Sequence, residues 1–227
     1  MDRHFNRINE AAMAADRIIN MVESAGFDIT NPYSIIDNAD YTNTPADMQY
    51  SYGASRLVIW DEDYCDYVVK IALNGDYEKY CQHEVEVYEA AVKEGLADSF
   101  AWCMCYAEPV YDDDGEYDAP GIYVMEYVDC NEDCNMDAVW EYGYNQYCSE
   151  RGLDSSNYDH ADEYNEWSYD GVDEELTLDY VESYVPGELI RAFVVFMSKW
   201  HITDIHTQNI GYVGNRVVML DYAGWGW

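Results

Sequence analysis

The N-terminal part of the chain shows the hydrophobic spacing of a helix. Apolar residues recur every three to four positions over residues 3–24, which predicts an amphipathic helix that ends near Gly26. The dipeptides Asn31-Pro32 and Thr44-Pro45 then indicate a loop region, because proline interrupts regular structure. We therefore expect one helix and a loop before the first strand.

The next part of the chain changes to the pattern of strands. Residues 48–73 contain apolar runs separated by polar turns, and 100–111 and 121–128 are two further apolar segments. Between them, residues 76–94 have helical spacing and are followed by a glycine that can stop the helix. The pattern predicts an antiparallel sheet of about five strands, with one helix inserted after the third strand.

The C-terminal half is less regular. Residues 129–185 are rich in Asp, Glu, Asn and Tyr, with weak helical spacing around 136–151 and 173–184. Residues 187–200 are apolar nearly all round, which predicts a buried helix. A hairpin is expected around Gly214-Asn215. The helices together with the antiparallel sheet predict an α+β fold.

The charge of the chain is strongly negative. It has 46 acidic and 11 basic residues and a net charge of −35, so we expect no direct binding to nucleic acid or to anionic membranes. Its 24 tyrosines and 7 tryptophans supply the apolar bulk that disordered acidic chains lack. No signal peptide or transmembrane helix is visible, and the seven cysteines are expected to be reduced thiols. These features predict a cytoplasmic protein.

Three polar residues near the C-terminus have a spacing that suits phosphoryl transfer. Asp204 is followed five residues later by Asn209, and Asp221 ends an apolar run twelve residues after that asparagine. One carboxylate can orient an attacking hydroxyl, while an amide oxygen and a second carboxylate can hold Mg²⁺ against phosphates. A polar loop before a hairpin would account for the same residues without any chemistry.

Further motifs, taken in chain order, resemble the protein-kinase-like superfamily. Val68-Val69-Lys70-Ile71 is similar to the strand whose Lys contacts the nucleotide phosphates, and Glu84 resembles the helical Glu that pairs with that Lys. The resemblance implies a two-lobed kinase-like fold with a five-stranded antiparallel N-lobe and a reduced helical C-lobe. The implied divisions are an N-terminal helix and loop at 1–47, the N-lobe at 48–128, and the C-lobe at 129–227 with an acidic insertion at 129–185 and a catalytic-type loop at 201–224.

The segment Val124-Met125-Glu126-Tyr127-Val128 is similar to a kinase hinge. The resemblance implies that Met125 is the gatekeeper, and that the Glu126 carbonyl and the Val128 amide bond the adenine edge. A methionine in an apolar strand is otherwise an ordinary core residue. Gly53 stands where the glycine-rich loop that covers the phosphates is expected, although that loop here has one glycine rather than three.

The C-terminal motif resembles small-molecule kinases more than eukaryotic protein kinases. The resemblance gives Asp204 the base position and assigns Asn209 and Asp221 to the metal. His206 matches the Asp-Leu-His form of aminoglycoside and related kinases. The sequence ends three residues after Gly224, so we expect no activation segment and no peptide groove of the usual kind.

Two functions remain open from the sequence. The first is a kinase-like phosphotransferase that binds Mg-ATP between the two lobes and transfers the γ-phosphate to an unidentified acceptor, either a small molecule or a protein docked elsewhere. The second is a catalytically inactive interaction protein, a pseudokinase or DNA mimic, whose acidic surface binds a basic, nucleic-acid-binding protein. Arg151 is the only Lys or Arg between Lys93 and Arg191, which supports the second function, although acids that merely keep the protein soluble or reflect a saline habitat would give the same pattern. The small size and the acidity suggest a bacterial or phage protein.

Overall fold

The computed structural model describes residues 3–38, 45–156, 158–168 and 172–222, without the side chains of 3–5 and 132. The helices are α1 Arg3–Ser24, α2 Pro32–Asn38, α3 Gly75–Glu94, α4 Glu132–Arg151, α5 Ala161–Trp167, α6 Glu174–Glu182 and α7 Ile190–Lys199. The strands are β1 Met48–Tyr52, β2 Arg56–Asp61, β3 Tyr67–Ala72, β4 Cys103–Ala107, β5 Val110–Tyr111, β6 Tyr117–Ala119, β7 Ile122–Glu126, β8 Ile210–Val213 and β9 Arg216–Met219. The chain divides into two compact units, Met1–Ala90 with Trp102–Tyr127 and Ala91–Ala101 with Val128–Trp227.

The first unit is built on a five-stranded antiparallel sheet with the order β1-β2-β3-β7-β4. Helix α3 lies in the chain between β3 and β4, so the predicted α+β class, sheet and inserted helix are confirmed. All six residues of β3 are buried, which explains why this strand reads as a continuous apolar run instead of an alternating one.

Helix α1 packs on this sheet through its apolar stripe, which includes Ala15, Ile18 and Val22. The predicted stop near Gly26 is correct, because that glycine has a φ of +87°, a left-handed conformation that glycine adopts without a Cβ clash. The prediction of a loop at Asn31-Pro32 is wrong, since Pro32 begins α2. Proline is well suited to the first helical position, where its missing N–H would have no partner inside the helix. The dipeptide Thr44-Pro45 lies partly outside the described residues.

The second unit contains α4 to α7 and the β8–β9 hairpin. The predicted hairpin is present. The prediction that the apolar helix at 187–200 is buried all round is wrong. Helix α7 buries Phe193, Phe196 and Met197, whereas Val194 and Val195 are 46% and 58% exposed. A helix that packs on one side buries only the residues on that side, and residues on its opposite side stay exposed even when they are apolar.

The strand predicted over 100–111 is interrupted. The sheet strand β4 ends at Ala107, and after Glu108-Pro109 the short β5 pairs with β6 in a separate two-stranded hairpin. Proline donates no ladder hydrogen bond, which accounts for the break at this position.

The acidic region of the second unit is held together by aromatic side chains. Tyr144, Tyr147 and Tyr164 are buried together with Cys148, and Trp140 packs against them with its ring 5.3 Å from Tyr144. Helices that carry many charges therefore acquire a core from tyrosines, whose rings supply large buried area.

All seven cysteines lie in the described part of the chain, and none of them forms a disulfide. Across the described ranges, no helix combines the length and the apolar character that crossing a bilayer requires. The cytoplasmic location remains a prediction.

Candidate active site

Lys70 and Glu84 meet in the interior of the first unit. The Lys70 ammonium donates to both carboxylate oxygens of Glu84, with Nζ–Oε1 and Nζ–Oε2 distances of 2.9 and 2.8 Å. Strand β3 supplies the lysine and α3 supplies the glutamate, and both residues are buried. Glu86, two residues further along α3, is exposed, as the helical period requires.

Arg56 is a second cation on the same carboxylate, and it was not among the site residues predicted from the sequence. Its Nη1 atom lies 3.1 Å from Glu84 Oε2, and its side chain is buried on β2. In the antiparallel register Arg56 pairs with Ala72, two residues from Lys70, so both cations lie on the face that meets α3. Two cations thus share one carboxylate, and the three side chains together carry one excess positive charge.

Burial and the shared carboxylate shift the pKa values of Lys70 and Glu84. Burial lowers the pKa of Lys70, and the attraction of Glu84 offsets this only in part because Arg56 repels the ammonium. Burial alone would raise the pKa of Glu84, but the two cations and their hydrogen bonds outweigh burial and lower it. Burial also raises the pKa of the neighbouring Cys81 thiol to about 12, so this thiol is neutral at pH 7 and adds no anion.

Met125, the predicted gatekeeper, lies beside this triad of Arg56, Glu84 and Lys70. Its sulfur is 3.8 Å from Lys70 Nζ, and its side chain is buried on β7. The Cys103 thiol donates to the Glu84 main-chain oxygen at 3.5 Å, which ties α3 to β4. Lys70, Glu84 and Met125 are therefore brought together in one unit.

The predicted hinge residues lie where β7 ends. The Glu126 carboxylate forms an ion pair with Arg7 of α1, and it accepts from the Trp102 N–H at 3.3 Å. The Arg7 guanidinium also lies 5.2 Å from the centroid of the Trp102 ring. Val128 is buried two residues later, at the start of the second unit. The N-terminal helix thus fixes the side chain of the predicted hinge glutamate.

Gly53 lies in the first unit, away from any tight packing. It is exposed in the turn between β1 and β2, and its N–H donates to the Arg56 oxygen at 3.0 Å. A Cβ placed on Gly53 would meet nothing within 4 Å, so packing does not require a glycine here. The residue stays a predicted phosphate contact without a structural constraint behind it.

In the second unit, Asp204 and Asn209 are joined by direct contacts. Asn209 Nδ2 donates to the Asp204 main-chain oxygen at 2.9 Å and lies 3.0 Å from His206 Nε2. His206 Nε2 is also 3.4 Å from the Asp204 carboxylate. The Asn209 amide nitrogen is thereby engaged, whereas its Oδ1 atom has no hydrogen-bond donor among the described residues.

Asn135 supports this loop and was missed from the sequence. Its buried Nδ2 atom donates to the main-chain oxygens of Thr207 and Ile210, at 2.8 and 2.9 Å. These two residues lie on either side of Asn209 in the chain, so Asn135 of α4 fixes the backbone of the loop that carries Asn209. The only available signal was a polar residue directly before the helix predicted at 136–151, and such a residue is usually a capping or solvated side chain.

Asp221 follows β9 with a φ of +57°, a left-handed conformation that costs energy for a residue with a Cβ atom. The next residue, Tyr222, holds this backbone in place, since its hydroxyl donates to the Ala101 oxygen at 2.9 Å and its ring packs 5.2 Å from Phe100. The Leu220 N–H donates to the Asn209 oxygen at 2.9 Å, which brings the chain leading into Asp221 beside Asn209.

The oxygen atoms of Asn209 and Asp221 suit a hard divalent cation such as Mg²⁺, which prefers carboxylate and amide oxygens and completes its shell with phosphates and water. Among the described residues, no group of three or more His, Cys, Asp and Glu side chains could hold a metal by itself. The adjacent residues Ala223 and Gly224 lie outside the described part of the chain.

A search of solved structures finds a likeness to the GDP and kanamycin complex of APH(2")-IIia. The match covers 84% of this chain and 72% of that chain, with 13% sequence identity and a TM-score of 0.38. No protein-family model matches the chain, and no curated protein matches it. This similarity is too low to assign a function to the chain.

Proposed function

We propose that the protein is a kinase-like phosphotransferase that binds a Mg-nucleotide, with ATP as the expected donor, and transfers the terminal phosphate to an acceptor hydroxyl. The observation that supports this most is the buried contact between Lys70 and Glu84. Burying an ion pair costs free energy, so a buried pair is usually kept for a function or for a specific geometry. Ionisable groups with perturbed pKa values are typical of functional sites.

The excess positive charge of the triad supports an anionic ligand. Arg56 and Lys70 both contact the Glu84 carboxylate, and burial lowers the pKa of Lys70. A phosphate beside Lys70 would attract its ammonium strongly, since charge attraction is strong in a site of low dielectric. In a protein with a net charge of −35, an anion needs such a local cation to bind at all.

The loop of the second unit supplies the complementary groups. Asn209 Oδ1 and the Asp221 carboxylate would hold Mg²⁺, which neutralises the charge that develops on the phosphates. The Asp204 carboxylate would accept the proton of the acceptor hydroxyl, and His206, 3.4 Å away, would orient that carboxylate. The proposal requires the side chains of both units to act on one nucleotide.

Calorimetric titration with Mg-ATP, repeated with Mg-GTP, tests this requirement. We expect Lys70→Met and Asp221→Asn each to weaken nucleotide binding by about tenfold or more, as loss of a charge-assisted phosphate or metal contact does. Matched surface controls are Lys199→Met and Asp113→Asn, which change the net charge by the same amounts and should leave affinity within about twofold.

Turnover is measured as conversion of labelled nucleoside triphosphate to the diphosphate, which registers transfer of the phosphate to any acceptor hydroxyl, water included. We expect Asp204→Asn to abolish turnover while nucleotide affinity is retained, because Asp204 acts on the acceptor and not on the nucleotide. Absence of any heat or thermal shift with millimolar Mg-nucleotide would reject the phosphotransferase. The non-catalytic alternative would then be favoured by salt-sensitive binding of a basic protein that survives Asp204→Asn and Asp221→Asn.

A further inference from the structure

Glu78 on α3 is a second buried carboxylate of the first unit, and the proposed phosphoryl transfer does not use it. It is 1% exposed, and no Lys, Arg or His within the described ranges forms an ion pair with it. Burying a carboxylate costs free energy unless hydrogen-bond donors surround it. The groups around Glu78 therefore show what keeps it inside the protein.

Three neutral donors from β6, β7 and the turn between them bind this carboxylate. The Tyr123 hydroxyl donates to Oε1 at 2.5 Å, and the Tyr117 hydroxyl and the Gly121 N–H donate to Oε2 at 3.1 and 3.2 Å. Burial and the neighbouring Glu78 raise the pKa of both tyrosines, so both hydroxyls keep their protons and act as donors. A Cβ atom on Gly121 would lie 2.6 Å from Glu78 Oε1, so this close approach requires a glycine. We call these four residues the Glu78 clasp.

Glu78 and Glu84 lie on the same buried face of α3, with Cys81 between them. Residues three apart are neighbours on a helix, and six residues span about 9 Å of its axis. The two carboxylates differ in their partners, because Glu84 contacts the cations Lys70 and Arg56 whereas Glu78 contacts neutral donors. One continuous helix carries both carboxylates, so contacts that fix one of them along the helix axis also fix the other.

We propose that Glu78 is a positioning residue for the contact between Lys70 and Glu84. The Glu78 clasp fixes α3 along its axis, which keeps the Glu84 carboxylate oxygens 2.9 and 2.8 Å from the Lys70 ammonium. Hydrogen bonds of this kind span about 2.7–3.2 Å, so a slide of α3 by roughly 1 Å would break the contact. The consequence for nucleotide binding rests on the proposed function, whereas the consequence for the Lys70 ammonium does not.

NMR of the lysine ammonium groups tests the proposal without any nucleotide. The chain has four lysines, so the Lys70 signal is assigned by its loss in Lys70→Met. The measured quantity is the rate at which the ammonium protons of Lys70 exchange with water, which burial and the bonds to Glu84 slow in the parent. Glu78→Gln leaves one acceptor oxygen and places an amide against the remaining donors of the clasp. We expect exchange about tenfold faster in this variant, as the loss of a hydrogen bond to a charged group produces.

Tyr117→Phe is a gentler variant that keeps the ring and removes one donor, so it decides the question even if Glu78→Gln fails to fold. We expect exchange of the Lys70 ammonium about fivefold faster in Tyr117→Phe. Tyr111→Phe is its matched control on the neighbouring strand of the same hairpin, and Glu86→Gln, an exposed acid of α3, is the control for Glu78→Gln. Each control should change the exchange rate by less than about twofold.

Val22→Ala separates positioning from a general loss of stability. Val22 is buried where α1 packs on the sheet and lies outside the clasp, so this variant lowers the free energy of unfolding without touching a clasp contact. We expect exchange at Lys70 to stay as slow as in the parent. An equal acceleration in Val22→Ala would mean that the clasp contributes stability only, and parent-like exchange in both clasp variants would overturn the proposal outright.

Calorimetry with Mg-ATP measures the consequence for the proposed function. We expect Tyr117→Phe to weaken Mg-ATP binding about threefold to tenfold, because the Lys70 ammonium is then held less firmly, while Tyr111→Phe binds like the parent. If the parent itself binds no Mg-ATP, the phosphotransferase is rejected, and ammonium exchange still decides the role of Glu78. Unchanged Mg-ATP affinity in Tyr117→Phe, together with faster exchange, would overturn the link between the clasp and nucleotide binding.

Discussion

Replacing Glu84 with glutamine should lower the free energy of unfolding far more than removing its partner Lys70. Glu84→Gln leaves two buried cations, Lys70 and Arg56, facing a neutral amide. Removing one partner of a buried ion pair typically costs about 3–5 kcal/mol. For a chain of this size, that loss corresponds to a fall in Tm of about 6–20 °C.

Lys70→Met should behave differently because Glu84 retains Arg56 at 3.1 Å. The methionine fills a similar volume and removes an ammonium whose burial was itself unfavourable, so we expect stability within about 1 kcal/mol of the parent. The double variant Lys70→Met with Glu84→Gln should recover part of the loss, since only one buried cation, Arg56, then faces the neutral amide.

Urea unfolding monitored by tryptophan fluorescence and by circular dichroism measures these differences, and coincident transitions are needed to treat each curve as two-state. Glu86→Gln is the matched control, because Glu86 is an exposed acid on the same helix whose contact with His83 is a surface pair. Equal destabilisation by Lys70→Met and Glu84→Gln would refute the account of two cations sharing one carboxylate. So would a Glu84→Gln variant as stable as the control.

Three further predictions concern pH, the loop and a close approach of backbones. The pKa of Glu84 is lowered from 4.5 in the folded state, so the stabilisation that its carboxylate provides is complete above pH 4.5 and is lost as the pH falls through the folded-state pKa. The difference in unfolding free energy between the parent and Glu84→Gln should therefore shrink as the pH falls from about 5. A constant difference down to about pH 3 would contradict this. Asn135→Ala should cost about 1–3 kcal/mol in urea unfolding because the carbonyls of the catalytic-type loop lose their donors, whereas Asn145→Ala on the exposed side of the same helix should be nearly neutral. Gly211→Ala should lower the Tm by several degrees, since its Cβ would lie 2.5 Å from a backbone oxygen, whereas Gly53→Ala has open space and should not; similar melting points for these two variants would contradict the packing argument.

The sheet and its inserted helix were predictable because local patterns carry them. The apolar runs that became β2, β3 and β7 are read from residue type alone, and so is the helical period of α3. Errors arose where a local signal had two structural outcomes. A proline such as Pro32 is equally compatible with a loop and with the first turn of a helix, so the sequence alone did not distinguish the two.

Burial of α7 could not be derived either, because hydrophobicity does not say how many neighbours a helix will have. Val194 and Val195 are as apolar as the buried residues beside them, yet they are exposed. The aromatic core of the acidic region was also invisible to periodicity, since Tyr144 and Tyr164 belong to different helices that pack together only in the fold.

The sequence by itself determined the identity and spacing of the lysine, the glutamate, the asparagine and the aspartates, and from these alone the phosphoryl-transfer hypothesis was drawn. Only the tertiary structure decided that Arg56 shares Glu84 with Lys70, and that Asn135 holds the loop that carries Asn209. These contacts join segments far apart in the chain. Their energies depend on burial and on distances between elements, which no local pattern of residues specifies.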